Sequence, residues 1–189
     1  MKNPDAKDKL IETMSDLLWR QGLVGTSPKA VQEQAQVGQG SMYHHFSSKN
    51  DLALAAIQRN ADELIAKTEK IFNEPGTAYD KISAFLLRPR NMQMGCKIGN
   101  LTRDYKIMED PELSAPIKHA FVWLKATLEG VFREGIRNGE FSAELHPKEA
   151  AGMVLVLLQG GYVISKALRS DDPFYLSVKC TLSLLKKQQ

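Results

Sequence analysis

A stretch near the N-terminus concentrates side chains that could bind a metal, hold a phosphate or contact a polymer. Residues 37–57 read VGQGSMYHHFSSKNDLALAAI, so small, aromatic and imidazole side chains immediately precede an apolar-periodic run. Three functions compete for this stretch: a metal or catalytic site on His44 and His45, a glycine-rich phosphate loop, or a short helix presented to a polymer such as DNA. A tight turn with a packed aromatic pair is a fourth, purely structural interpretation.

The spacing of the residues disfavours the first two functions. Adjacent histidines on a helix point about 100° apart, so His44 and His45 cannot share one ion as an i, i+4 pair does. The other histidines, His119 and His146, fall in separate predicted helices. The GQG sequence follows a predicted helix rather than a strand, and it lacks the P-loop lysine and the full dinucleotide fingerprint. We therefore expect no metal, no cofactor and no catalytic residue, and we do not expect an enzyme.

A helix-turn-helix accounts for more of these residues. Ser27 caps a short helix predicted over residues 28–34, and a second short helix is predicted over Gln39–His45 after a turn. Small residues at the start of the second helix would let the backbone approach DNA phosphates, and its polar side chains would reach base edges. The residues predicted to contact DNA are Thr26, Ser27, Lys29, Gln39, Gly40, Ser41, Tyr43, His44 and Lys49.

The elements that must position these residues all have the periodicity of helices. Apolar spacing and breakers such as NEPG and NGE predict helices over about 5–21, 28–34, 39–45, 48–73, 82–87, 96–105, 114–138, 147–168 and 172–186. No alternating apolar run favours a strand. The predicted fold class is all-α, with a small N-terminal three-helix domain followed by a larger C-terminal helical domain.

The composition of the 189 residues is that of an ordinary globular protein, with 43% hydrophobic and 25% charged residues. A net charge of +3 permits nucleic-acid binding without arguing for it, because a footprint on DNA also needs clustered charge. Cys96 and Cys180 are far apart in sequence, and we expect free thiols. The N-terminal residues lack the apolar core of a signal peptide, so the expected location is cytoplasmic.

The stretch resembles the DNA-binding signature of the TetR family of bacterial transcription regulators, which usually reads AGVSKGTLYHYF with a lysine and a leucine at fixed offsets beyond it. Matching positions, or conservative replacements, are Ala35, Val37, Gly40, Ser41, Met42, Tyr43, His44, Phe46, Lys49 and Leu52. Departures are Gln32 in place of alanine, His45 in place of tyrosine and Gln36 in place of the usual turn glycine. The backbone at Gln36 therefore either avoids a positive φ or adopts one at a cost.

The resemblance implies a helix-turn-helix DNA-binding domain over residues 1–50 and an effector-binding and dimerisation domain over residues 51–189. It implies a repressor that a small-molecule effector releases from a palindromic operator. No membrane partner is expected, because the longest apolar run, residues 153–158, is far shorter than the roughly 20 residues that span a bilayer. Small residues on the penultimate helix and an apolar stripe on the last helix independently favour a homodimer formed by these two helices. A core helix buried within one chain is the alternative. In a two-fold dimer, recognition helices about 34 Å apart would read a palindrome.

The effector pocket is expected where methionines, aromatic side chains and a cysteine gather around a helix break, because such pockets are concave and mostly apolar. Each of these residues could equally belong to the ordinary core. The candidate lining residues are Phe85, Met92, Met94, Cys96, Leu101, Tyr105, Phe121, Trp123 and Tyr162.

Cys96 supports an alternative function, a thiol-based sensor of electrophiles or oxidants. It lies near a predicted helix N-terminus and next to Lys97, and nearby positive potential raises the thiolate fraction of a cysteine. A small residue packed under a tight turn is the simpler interpretation.

Two other classes of protein compete with a DNA-binding regulator. An all-α enzyme would need a convergent acid and base pair, and no such pair occurs at helical spacing. A helical adaptor would explain the bundle but not the GSMYHHF sequence with its following lysine. Binding to duplex DNA that weakens steeply with salt separates a DNA-binding protein from both.

Overall fold

A computed structural model describes residues 5–186, in which ten α-helices form the regular structure. The helices are α1 (Ala6–Gly25), α2 (Pro28–Ala35), α3 (Gln39–His45), α4 (Lys49–Asn73), α5 (Ala78–Leu87), α6 (Lys97–Leu101), α7 (Tyr105–Glu109), α8 (Pro111–Arg137), α9 (Pro147–Leu168) and α10 (Asp172–Leu185). The predicted all-α fold class is confirmed.

Capping chemistry explains where the observed helices differ from the predicted ones. The short helix predicted over 96–105 is two helices, because Asp104 interrupts it and caps α7 by accepting a hydrogen bond from the Lys106 N–H at 3.1 Å. Helix α5 begins four residues earlier than predicted, since Thr77 and Asp80 form a reciprocal capping box. Apolar periodicity did not reveal either cap.

The described chain forms two compact units. The N-terminal unit comprises the residues up to Glu63 together with Lys97–His119, and the C-terminal unit comprises Leu64–Cys96 together with the residues from Ala120. Helices α6 and α7 therefore group with the first helices, and both contact α1. The boundary predicted at residue 50 lies inside the N-terminal unit, and as a functional division it remains a prediction.

The N-terminal unit is built around the apolar face of α1. Leu10, Met14 and Leu18 are almost fully buried, and α2 and α3 both pack on this helix. A buried hydrogen bond from the Ser15 hydroxyl to the Asn60 side chain, at 2.7 Å, joins α1 to α4. These contacts hold the two short helices in a defined orientation.

The C-terminal unit has a core of aromatic and aliphatic side chains from α5, α8, α9 and α10. Phe85, Phe132, Phe141 and Phe174 are fully buried in it. Helix α9 approaches α10 closely because residue 161 is glycine: a Cβ there would lie 2.4 Å from the Phe174 ring. Substitution at this position would force the two helices apart.

Helix α9 is long and apolar enough to cross a membrane by length and composition alone. Only part of it is buried in the structure. Ala151, Val154 and Leu158 pack into the core, whereas Val156 and Val163 are exposed on the other side. The helix therefore has two apolar faces, of which the C-terminal unit covers one.

Candidate functional site

Helix α3 buries one side chain fully and presents most of the others to solvent. Met42 is fully buried and accepts a hydrogen bond at its sulfur from the Gln32 side chain of α2, at 3.3 Å. Gln39, Tyr43 and His44 are exposed, and 48% of Tyr43 is accessible. Phe46, just after the helix, is buried, so it is Phe46 rather than Tyr43 that faces inward. The outer face of α3 is therefore polar and free of internal contacts at most of its positions.

The start of α3 is open to a close approach by another molecule. Ser41 is half-buried and Gly40 is exposed, and no other side chain lies within 4 Å of the position that a Cβ on Gly40 would take. The backbone here could lie against a phosphate without steric hindrance. Of the residues of α3 that are predicted to contact DNA, Gln39, Gly40, Tyr43 and His44 are exposed and Ser41 is half-buried.

The turn between α2 and α3 settles the question raised by Gln36. Its φ is 55° and its ψ is 43°, the left-handed conformation that glycine adopts most easily. Its N–H bonds back to the carbonyls of Gln32 and Glu33, which ends α2. Gln36 therefore adopts the positive φ rather than avoiding it.

The residues predicted to hold a phosphate at the start of α2 divide into two groups. Ser27 and Lys29 are exposed, and the Ser27 hydroxyl caps α2 by accepting the Ala30 N–H at 3.1 Å. Thr26 is buried instead, with its hydroxyl donating to the Gly22 carbonyl at 2.7 Å. Thr26 thus has a structural contact that the sequence did not indicate.

Lys49 also makes contacts inside the N-terminal unit. Its ammonium donates to the carbonyls of Leu23 and Thr26, each at 2.7 Å. Partial burial, with a smaller contribution from Lys106, lowers the pKa of Lys49 below its usual value. Two of its three donors therefore stabilise the end of α1, which leaves one for a phosphate.

Asp104 is a residue of this region that sequence reasoning missed. Its carboxylate accepts the N–H of Leu23 at 2.6 Å, beside the break in α1 at Gly22, where φ is 71°. A Cβ on Gly22 would lie 2.7 Å from the same carboxylate oxygen, so glycine is needed for the contact as well as for the φ. Asp104, the N-cap of α7, and Lys49 of α4 together hold the end of α1.

The predicted effector residues are distributed over both units. In the C-terminal unit, Phe85 and Met92 are buried in the core, while Met94, Cys96, Phe121, Trp123 and Tyr162 are half-buried. Leu101 and Tyr105 belong to the N-terminal unit, where Leu101 is buried and Tyr105 is 60% exposed.

Two arginines that the sequence analysis did not select lie among the C-terminal candidates. Arg88 and Arg90 follow α5 directly, and both guanidinium groups lie over the ring of Phe85. Tyr162 shares a hydrogen bond with Arg90, and its ring stacks on Phe174 at 6.4 Å between centroids. Burial lowers the pKa of both arginines, that of Arg90 to about 10. The RPR sequence predicted only the end of a helix, because an arginine next to a proline does not indicate that its guanidinium group is partly buried.

An exposed apolar surface covers the outer side of α9 and the neighbouring side of α10. Two shallow grooves of about 390 and 470 Å³ lie on it. Their lining residues are Phe121, Met153, Leu155, Val156, Leu157, Gln159, Gly160, Gly161, Val163, Ile164, Pro173 and Ser177. We call this surface the α9–α10 face. Val156 is 73% exposed, and Val163 and Ile164, which line the same groove, are 51% and 48% exposed, an unusual exposure for contiguous apolar side chains.

A metal site has no support within residues 5–186, where no three His, Cys, Asp or Glu side chains come close enough to hold an ion.

Comparisons with known proteins agree with the geometry of α2 and α3. Residues 10–56 match the family model "Bacterial regulatory proteins, tetR family", and residues 78–179 match "Tetracyclin repressor-like, C-terminal domain". The HTH-type transcriptional regulator LmrA of Bacillus subtilis is 25% identical over 99% of this chain and all of its own length. The HTH-type transcriptional repressor NemR of Escherichia coli is 25% identical over 89% of this chain and 88% of its own.

The fold is also that of solved structures. A TetR-family transcriptional regulator from Cytophaga hutchinsonii superimposes over the full length of both chains with a TM-score of 0.83 and 20% identity. The two family models together cover both the helix-turn-helix and most of the C-terminal bundle. The chain belongs to the TetR family of bacterial regulatory proteins and is a DNA-binding transcriptional regulator.

Proposed function

We propose that the protein is a homodimeric repressor that reads a palindromic operator through α3 and leaves it when a small-molecule effector binds the C-terminal unit. The observation that carries the DNA-binding part is the outer face of α3, where Gln39, Tyr43 and His44 are exposed while Met42 anchors the helix. TetR-family regulators are soluble cytoplasmic proteins, and we infer the same location here.

The roles of individual residues follow from their positions. Gln39 and His44 would reach base edges in the major groove, and Tyr43 would contact a phosphate or a thymine methyl group. Gly40 and Ser41 would let the backbone approach the strand, and Ser27, Lys29 and the remaining donor of Lys49 would hold phosphates on either side. Thr26 would act through the end of α1, since its hydroxyl is occupied.

Binding to the DNA that flanks the protein's own gene tests this proposal. We expect specific binding that weakens between two salt concentrations, because phosphate contacts release counterions. Tyr43→Ala should reduce affinity about 10-fold or more, the effect of losing one good contact to DNA. Leu87→Ala, at a residue 51% exposed in the C-terminal unit, is the matched control and should bind as the wild type does. Equal, salt-insensitive binding by all three proteins would contradict a reading function for α3.

The α9–α10 face supports the dimer. Its apolar side chains would be covered by the same face of a second copy, as a two-fold contact requires. Gly160 has open space around it, so the backbone of a partner helix could lie close to α9. Two recognition helices would then be held at a fixed separation.

Release by an effector is a shift in population between two states of the dimer. The effector must bind the state with low operator affinity better than the other state, by a few kcal/mol for a strong response. Lys97 of α6 contacts Ser15 of α1, and Asp104, the N-cap of α7, contacts Leu23 of α1. Movement of α6 or α7 would therefore act directly on the helix that supports α2 and α3.

Thiol sensing by Cys96 is a second candidate function, favoured by one observation. The thiol is half-buried in the C-terminal unit and close enough to Arg88 and Arg90 to act on them electrostatically. Alkylation with a fluorescent maleimide compares Cys96 with Cys180, the exposed cysteine of the same chain. Faster reaction at Cys96 would support a sensor, and equal or slower reaction would exclude it.

A further inference from the structure

The C-terminal unit partly buries two positive charges next to each other at the end of α5. The guanidinium carbon of Arg88 lies 4.9 Å from the centroid of the Phe85 ring, and that of Arg90 lies 5.5 Å from the same ring and 5.9 Å from Phe174. Stacking on aromatic faces fixes the position of both groups.

The two arginines differ in how many of their donors are used. Arg90 donates to the carbonyls of Phe85, Leu86 and Arg88 at 2.6, 3.3 and 2.9 Å, and it shares a further hydrogen bond with Tyr162. Arg88 makes one long hydrogen bond, to the Thr68 hydroxyl at 3.5 Å. Arg90 thus completes the end of α5, whereas Arg88 retains most of a five-donor fork.

The charge of this pair is not balanced within the described chain. Tyr162 and Cys96 act electrostatically on both guanidinium groups, and Arg88 acts on Arg90. No carboxylate among residues 5–186 forms an ion pair with either arginine. Burial of a cation without an anion is costly, which is why the pKa of both arginines is lowered. An anion bound beside Arg88 would relieve that cost.

Helix α9 adds hydroxyl groups on the side that faces the core. Tyr162 and Ser165 are three residues apart, so they lie on the same face of the helix. Ser165 is fully buried, and its hydroxyl is the one buried side-chain polar atom without a hydrogen-bond partner in the part of the chain that the structure describes. Gln93, from the turn after Arg90, donates to the Ser165 carbonyl at 3.4 Å, which brings this turn onto the same part of α9.

We propose that Arg88, Arg90, Tyr162 and Ser165, which we call the arginine–hydroxyl cluster, bind the carboxylate of an organic acid with an apolar body. Arg88 supplies the bidentate fork, Arg90 supplies a second positive charge, and the hydroxyl groups complete the set of donors. The apolar body follows from the aromatic side chains around the cluster, Phe85 and Phe174, whose rings lie against the guanidinium groups. This assignment rests on the proposed function, because it names the chemical class of the effector.

Benzoate and benzamide test the assignment, since they share size and ring but only benzoate carries a charge. Titration calorimetry at constant ionic strength should show that wild-type protein binds benzoate and not benzamide. Arg88→Met should weaken benzoate binding about 10-fold or more, the usual effect of losing a hydrogen-bonded charge. Arg88→Lys, which keeps the charge but not the fork, should retain part of the affinity. Arg133→Met, at an exposed arginine of α8 paired with Glu129, is the matched control and should leave binding unchanged.

Each outcome has one interpretation, provided that circular dichroism shows the variants folded. Equal binding of benzoate and benzamide, no binding of either, or benzoate binding that survives Arg88→Met would overturn the proposal. Operator binding is measured on the same proteins. If the protein binds its operator but does not discriminate between benzoate and benzamide, only the carboxylate site is refuted. If it discriminates between them but does not bind DNA specifically, the proposed repressor function is refuted and the anion site remains. Benzoate affinity in Arg88→Lys that is as low as in Arg88→Met would also contradict a role for the charge of Arg88.

Discussion

At the scale of single residues, Gln36 shows how the helix-turn-helix is maintained without its usual glycine. A residue with a Cβ in the left-handed region costs about 1 kcal/mol relative to glycine. Here the hydrogen bonds from the Gln36 N–H to the carbonyls of Gln32 and Glu33 stabilise this conformation. The strain is tolerated because α2 and α3 are both held against α1.

Gln36→Gly should therefore stabilise the protein. Relief of strain outweighs the added freedom of glycine in the unfolded chain, and we expect the free energy of unfolding to rise by about 0.5–1 kcal/mol. Urea denaturation followed by circular dichroism measures it. Gln34→Gly, inside α2 and in ordinary helical conformation, is the control and should destabilise the protein, because glycine weakens a helix interior. A loss of stability in Gln36→Gly would mean that contacts of the glutamine side chain stabilise the protein by more than the positive φ costs.

At the scale of elements, α1 is completed by groups from helices far away in sequence. The carboxylate of Asp104 and the ammonium of Lys49 bond to backbone groups on either side of its last turn. Since α2 begins three residues after α1 ends, the position of the helix-turn-helix depends on these two side chains. The end of α1 is thus a point at which Lys49 of α4 and Asp104, the N-cap of α7, can influence α2 and α3.

Asp104→Ala should destabilise the N-terminal unit by about 1–3 kcal/mol, because the buried N–H of Leu23 would lose its charged acceptor. Asp104→Asn keeps an acceptor oxygen, so its stability should lie between that of the wild type and that of Asp104→Ala. Asp62→Ala, which removes an exposed carboxylate bonded to Gln58, should change stability by no more than about 0.5 kcal/mol. Thermal unfolding of the four proteins is the measurement, and equal stability of Asp104→Ala and Asp62→Ala would show that the contact contributes little.

At the scale of the whole molecule, the α9–α10 face accounts for the composition of α9. The helix is apolar on two sides, and the C-terminal unit buries only one of them. Exposed contiguous apolar surface of this kind is typical of an interface. A second copy of the chain on this face would cover it and would supply the second recognition helix that a palindrome requires.

Val156→Glu should convert the dimer to monomer, because it places a charge in the centre of the apolar face at a position that is 73% exposed in one chain. Sedimentation equilibrium measures the mass of the particle. Operator affinity should fall as the dimer is lost. Val24→Glu makes the same change at a 56% exposed valine of the N-terminal unit and should leave the mass unchanged. A dimer that persists in Val156→Glu would place the interface elsewhere.

The sequence alone determined the all-α fold class, the helix-turn-helix and the resemblance to the family, because those features are local. Apolar periodicity, the Ser27 cap and the small residues of α3 act over a few positions and can be read in order along the chain. The same reasoning found the exposed residues of α3, since a short amphipathic helix has one buried face.

Only the tertiary structure decided which partners those residues have. Nothing local predicts that Lys49 bonds to the end of α1, that Asp104 reaches Leu23 from 81 positions away, or that Arg88 and Arg90 are partly buried without an anion. Hydrogen bonds and charge balance in a folded chain depend on distances between groups remote in sequence. Those distances exist only once the helices have packed.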